Sequence, residues 1–160
     1  MRDQKSNLEE VYEDEVFQVL LDYEVTRSKR YPTDISLVHI EFTPSGNEKA
    51  LLSAAQVFSK ALNAQIRSAD IPSLKKNEFK ILMPATNANG LHSICERLIS
   101  VFKSSFTTKD GSSIAFSINI GGVSHPGGES LSRDSFLEAA QTALKQSKQK
   151  GPNTYIVLSK

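Results

Sequence analysis

The chain has 160 residues, enough for one domain with a substantial core and too few for two. With 39% hydrophobic residues, 23% charged residues and a formal net charge of +1, it reads as an ordinary globular protein with no strong field toward nucleic acid or membrane surfaces. No apolar run approaches transmembrane length, no signal peptide is visible, and the single cysteine, Cys95, excludes an internal disulfide and fits a reducing compartment, the cytoplasm.

Residues 1–7 are polar and read as a tail. Leu8, Val11, Tyr12, Val16, Val19, Leu20 and Tyr23 then recur at helical spacing. Acidic residues crowd the start of this segment (Glu9, Glu10, Glu13, Asp14, Glu15) and basic ones its end (Arg27, Lys29, Arg30), which complements a helix dipole. Residues 1–30 are thus a tail and leading helix of a single domain spanning 1–160. Tyr31 to Asp34 is a turn, Ile35 to Phe42 a central strand, and Thr43 to Asn47 a loop. Residues 48–69 read as one helix with Leu51, Leu52, Ala55, Phe58, Leu62 and Ile66 inward.

Pro72 to Pro84 reads as two short strands joined by a polar turn, with Phe79, Ile81 and Met83 alternating with Lys80 and Leu82. Tight hairpin turns favour residues that accept positive φ, and within Lys75-Lys76-Asn77 only Asn77 suits that role. Asn87 is placed to cap a helix over 88–104, striped by Leu91, Ile94, Cys95, Leu98, Ile99 and Phe102. A strand pair, 105–109 and 112–121, turns at Asp110-Gly111, and Gly121-Gly122 and Pro126-Gly127-Gly128 read as loops. Ser132 or Asp134 caps a last helix, about 134–149, with Phe136, Leu137, Ala140 and Leu144 inward. Gly151-Pro152 stops that helix, and Thr154 to Ser159 is the final strand. The order of elements indicates an α+β fold, a mostly antiparallel central sheet flanked by helices. Cys95, His39, His92 and His125 show no metal-ligand spacing.

Lys75-Lys76-Asn77-Glu78-Phe79 resembles the Gly-Gly-Asp/Glu-Glu-Phe turn that marks GGDEF domains, the diguanylate cyclase family. The resemblance runs from about Phe17 to the end of the chain. Arg27 to Tyr31 with Ile35 to Val38 looks like the family's helix end and first strand, and Arg67-Ser68-Ala69-Asp70 like its R-x-x-D. Asn119 to Val123 is similar to its S-I-G-V. Ala143 to Lys148 and Gly151-Pro152-Asn153 resemble A-L-Y-x-A-K and G-R-N. The fold this implies is the nucleotide-cyclase form of the ferredoxin-like arrangement.

In that family two GTP-loaded domains meet face to face, and two metal ions, usually magnesium, are held by an Asp at the end of the first strand and by the acidic third residue of the turn. Carboxylates suit the task because a hard cation beside phosphates wants anionic oxygen. Glu41 takes the first position in the ungapped register, and a register shifted by two would put His39 there. Neutral Asn77 takes the second, and Glu78 alone does not replace both ligands. Lys75 and Lys76 fill the space that two glycines leave for close approach of the triphosphate. Lys148 matches a phosphate-binding lysine, while Pro152 replaces an arginine. Asn47 is the one candidate in a shortened guanine-reading loop, and the D-x-L-T-G-L-x-N-R motif is missing before Phe17.

These losses imply a catalytically inactive GGDEF-like domain that signals through a protein partner or as a homodimer, with no cofactor. Magnesium is expected only if the ancestral site were active. Arg67 and Asp70 keep open a cyclic di-GMP receptor role, although four residues rather than the family's five separate Asp70 from the turn. A weakly active or altered-specificity cyclase using Glu41, Glu78 and Lys148 is the third reading. No nucleic-acid partner and no membrane segment are expected.

Overall fold

The computed structural model describes residues 11–160, so the expectations for the tail and for Leu8, Glu9 and Glu10 lie outside the described residues. The elements in chain order are α1 (Asp14–Arg30), β1 (Ile35–Gly46), α2 (Glu48–Leu52), α3 (Ala54–Asn63), β2 (Ile71–Lys75) and β3 (Glu78–Pro84). They continue with α4 (Ala88–Val101), β4 (Phe106–Thr107), β5 (Ser113–His125), α5 (Arg133–Lys150) and β6 (Thr154–Ser159). The sheet runs β2-β3-β1-β5-β4, all antiparallel, and β6 joins β5 in parallel through the α5 crossover. This is the α+β architecture expected from the sequence.

Both faces of the sheet are covered. On one, Val38, Ile40, Phe79, Ile81 and Ile120 pack against α3 and α4. Phe58 stacks between Phe42 and Phe102 there, at centroid distances of 4.3 and 4.2 Å, which adds geometric preference to apolar burial. On the other face, Leu37, Leu82 and Val123 pack against Phe17, Leu21, Phe136 and Ala140 of α1 and α5. The α5 contact is close: a Cβ on Gly121 would lie 2.0 Å from the Leu144 backbone nitrogen, so only glycine fits.

Several boundaries differ from the sequence reading. Val11 and Tyr12 precede α1. Tyr12 bridges Ser73, and its N–H donates to the Pro72 carbonyl at 2.9 Å. The buried face of α1 is Phe17, Leu20, Leu21, Val25 and Ser28, while Val19 and Tyr23 are exposed. β1 continues through the expected loop to Gly46 because β5 runs beside it, pairing Pro44 with Phe116; β3 has already ended, so the missing Pro44 N–H breaks no central ladder. The expected helix over 48–69 breaks at Ser53, which leaves Leu51 and Leu52 exposed, and it ends at Asn63. Gly121 and Gly122 lie inside β5 rather than in a loop, and β4 has two residues.

Candidate functional site

The β2–β3 hairpin closes through Lys76 and Asn77, with Lys75 paired to Glu78. Lys76, not Asn77, takes the positive φ, at +58°. Asn77 instead ties the turn to β1. Its carbonyl accepts from the Phe42 N–H at 3.1 Å, and its Nδ2 donates to the Phe42 carbonyl at 3.3 Å. Lys75 and Lys76 are exposed at the tip. Phe79 is wholly buried and packs on Phe42 and Phe58, at centroid distances of 5.8 and 5.1 Å, so it anchors the hairpin.

Glu41 faces Glu78 directly across the β1–β3 ladder, and His39 faces Lys80. The Lys148 ammonium, from the last turns of α5, holds both oxygens of Glu41, at 3.0 and 3.1 Å. His39 is fully buried, and its Nδ1 lies 3.3 Å from a Glu78 carboxylate oxygen. The contact is not aligned as a full hydrogen bond, and neither ring nitrogen has another partner among the described residues. That contact with His39 is the main cause that holds the Glu78 carboxyl below its ordinary range. Burial opposes the shift, and the charges of His39, Lys80 and Lys148 add to it. Lys80 also reaches Asp14 of α1 at 3.7 Å.

This constellation does not fit a magnesium pair. Among the described residues no group of three His, Cys, Asp or Glu side chains converges on a point that could hold a metal ion. Glu41 is neutralised by Lys148. Asn77 aims an N–H donor at the one carbonyl it touches, where a cation would need an oxygen. Asn47 is committed elsewhere. Its Oδ1 accepts from the Ala50 N–H at 2.8 Å and caps α2, so it is a structural residue.

The other candidate pair is joined. Arg67 Nη2 donates to Asp70 Oδ1 at 3.1 Å, to the Pro84 carbonyl at 2.9 Å and to Thr86 Oγ1 at 2.6 Å. The Arg67 N–H donates to Asp70 Oδ2 at 2.9 Å. The two residues line a cavity of about 280 Å³ with Thr86, Ser93 and Arg97. Arg97 was not singled out from the sequence. It sits beside the apolar stripe of α4 and reaches this cavity only because α4 packs across the segment after α3, where its Nη2 donates to the Gln65 carbonyl at 2.6 Å. Nothing in its local sequence marks it.

The family model described as "Diguanylate cyclase, GGDEF domain" matches residues 49–154. The chain belongs to the GGDEF domain family. Comparison with curated proteins gave no match. Among solved structures, this GGDEF domain is similar to the GGDEF domain of DgcB from Caulobacter crescentus in complex with c-di-GMP. That likeness has a TM-score of 0.79 at 15% identity, over 98% of this chain and 96% of that one. The GGDEF domain of TpbB (YfiN) from Pseudomonas aeruginosa gives a TM-score of 0.77 at 16% identity, over 95% and 92% of the two chains. Diguanylate cyclase SiaD, solved with its activator SiaC from the same organism, gives 0.79 at 16% identity, over 98% of this chain and 62% of SiaD. At these identities the likeness is one of fold. Among the described residues, no helix is long and apolar enough to cross a membrane.

Proposed function

We propose that this GGDEF domain makes no cyclic di-GMP and acts in signalling through contacts with other proteins, in the cytoplasm. The observation that carries the reading is the state of the two positions where the family places its metal carboxylates. At one, Asn77 is an amide that donates to the Phe42 carbonyl; at the other, Glu41 is capped on both oxygens by Lys148. Phosphoryl transfer depends on positioning and on charge neutralisation by metal, so a site whose first carboxylate binds its own cation and whose turn carries an amide at the second position lacks both. Lys75 and Lys76 add side chains where the family has none, and Pro152 stays neutral. A protein-contact role is in keeping with SiaD, whose structure includes its activator SiaC. The test is incubation with GTP and magnesium or manganese, with product measured against a heat-killed control. No cyclic di-GMP above the control is expected, and steady formation would overturn the proposal.

A second reading has its own observation. The cavity that joins Arg67, Asp70 and Arg97 offers two guanidinium groups and a buried carboxylate, the donors and acceptor that a guanine and a phosphate would use. DgcB was solved with c-di-GMP, and we propose that any binding of that ligand here uses this cavity. Because Arg67 is already engaged by Asp70, Pro84 and Thr86, binding must displace those bonds and is weak. Calorimetry on the native protein and on Arg67→Ala separates the readings: tight binding unaffected by the substitution would refute the assignment.

A further inference from the structure

The sequence of the edge strand β6 carries none of the usual edge protections. It reads Thr-Tyr-Ile-Val-Leu-Ser, with no charge and no proline, and Thr154 to Leu158 are all partly exposed. It pairs only with β5, so its outer side has no neighbouring strand among the described residues. The Lys160 N–H donates to the Ser124 carbonyl at 2.9 Å in the β5–β6 register, which fixes which groups face inward. By strand alternation, the N–H and C=O groups of Tyr155 and Val157 point outward. Sheet proteins normally blunt such an edge with lysine, proline, a bulge or a covering element.

Beside this edge lies a groove. It is a cavity of about 530 Å³ between β6 and α4, walled by Ile99, Tyr155 and Val157, with His92 on α4 and Lys150 and Asn153 before the start of β6. No carboxylate among the described residues lines it. The nearby Glu96 accepts from the Tyr155 hydroxyl at 3.1 Å, and Lys150 makes no ion pair among the described residues. Among the described residues Lys150 is the one charged side chain that lines the groove, and it sits beside the first residues of β6.

We infer that β6 is a strand-addition site for an extended segment of a partner protein, antiparallel to β6, with apolar side chains at alternate positions and acidic residues at its C-terminal end. Main-chain hydrogen bonds to Tyr155 and Val157 hold the segment, and alternate side chains enter the groove against Ile99. Antiparallel addition, the stronger pairing, brings the C-terminal end of the segment beside Thr154, where Lys150 meets its carboxylates. A second copy of this chain fits less well. Antiparallel self-pairing of β6 would bring Lys160 of one copy toward Lys150 of the other, two cations with no carboxylate in the groove. The inference rests on the protein-contact reading but on a surface distant in sequence from the signature turn.

The probe is a fluorescein-labelled peptide of alternating Thr and Val ending in Asp-Glu, with a second peptide ending in Lys-Lys as control. Fluorescence anisotropy on the full chain is expected to show the acidic peptide binding about tenfold or more tighter than the basic one, with binding weakened by salt. Val157→Pro removes an outward N–H without touching the β5 ladder and abolishes binding of both. Lys150→Glu, an exposed change that leaves the strand intact, reverses the preference. Absence of binding, equal binding of both peptides, or binding that survives Val157→Pro in a variant with native circular dichroism would overturn the inference. So would a concentration-dependent dimer that Val157→Pro abolishes. GTP turnover is a separate measurement. A domain without turnover that also fails to bind peptide leaves the inactive reading in place and removes this surface, whereas turnover with peptide binding does the reverse.

Discussion

Restoring the family's turn takes Lys75→Gly, Lys76→Gly and Asn77→Asp, and the three changes act in different directions. Lys76 sits at φ +58°, a conformation that costs a residue with a Cβ about 1–2 kcal/mol. Glycine removes that cost but gives up about 0.5–1 kcal/mol of backbone entropy. Lys76 is exposed and makes no ion pair among the described residues, so nothing else is lost, and Lys76→Gly stabilises by up to about 1.5 kcal/mol, at roughly 2–4 °C per kcal/mol for a domain of this size. Asn77→Asp has the opposite sign. It replaces the Nδ2 donor 3.3 Å from the Phe42 carbonyl with an oxygen, which costs about 1 kcal/mol in the absence of metal. Lys75→Gly weakens the end of β2 by a further ~0.5–1 kcal/mol. The triple variant is therefore slightly less stable than the native chain, and manganese raises its melting temperature because a second carboxylate has returned. Turnover stays absent, since Thr43 to Gly46 is strand, Asn47 caps α2, and position 152 is still uncharged. Thermal melts of each single variant, manganese calorimetry and chromatographic detection of cyclic di-GMP cover the three claims. A destabilising Lys76→Gly would refute the strain assigned to the turn, and a triple variant that turns over GTP readily would refute the loss of the surrounding site.

Three further outcomes follow from individual contacts. Ala85, at φ +53° beside the Arg67 cavity, carries strain like that of Lys76, so Ala85→Gly raises the urea midpoint by an amount equivalent to up to about 1.5 kcal/mol. The His125 side chain is pushed below its ordinary pKa by burial, and its Nδ1 accepts from the Gly127 N–H at 2.9 Å, which requires the neutral ring. Its contribution is thus present above the ordinary histidine value of 6.5 and is lost as pH falls through the lower folded value; a urea midpoint that declines below pH 6.5 in the native chain and less so in His125→Asn is the check. Cys95 is buried, and desolvation, with help from Glu96, pushes its thiol up to about 12, so it reacts with a disulfide reagent at pH 8 only as fast as the domain opens, and labelling in step with urea unfolding tests this.

The parts of this fold that local chemistry dictates were legible in the sequence. Asn87 caps α4 with its Oδ1 on the Gly90 N–H at 2.9 Å, and Thr154 to Ser159 forms the last strand with the bounds read from its apolar run. The errors fall where tertiary context overrides local signals. Thr43 to Gly46 looks like a loop because proline and glycine punctuate it, but a long β5 alongside supplies the pairing. Gly121 and Gly122 look like loop glycines, yet Gly121 is needed where α5 presses on the sheet. Leu51 and Leu52 satisfy helical spacing, and a break at Ser53 turns them outward. At the site, the resemblance located Glu41, Asn77 and Lys148, but no spacing rule revealed that Lys148 and Glu41 bind one another, nor that Arg97 joins Arg67 across α4.

On the proposed inactive reading, the turn also explains how a site could lose its chemistry while the hairpin that carried it persists. Lys76 keeps the left-handed backbone although no glycine remains there, so turn preference is not what fixes the loop at two residues. The pairing of Lys75 with Glu78 fixes it, and that pairing follows from residues further along β3. Phe79 and Ile81 must face the α3–α4 core, and slipping the register by one residue would send both to the α1–α5 side. Burial of those two side chains outweighs about 1–2 kcal/mol of strain at one exposed residue. Substitutions at the tip therefore leave the core untouched, and Glu41 has a nearby cation to offset its charge. Lys148 reaches it from α5, an element held in place by Gly121, Ala140 and Leu144 for reasons of packing alone. The sheet ends and edges of such a domain are thereby free to change under a different pressure, and an unblunted β6 beside a groove lined by Lys150 is what a surface kept for partner contact would look like.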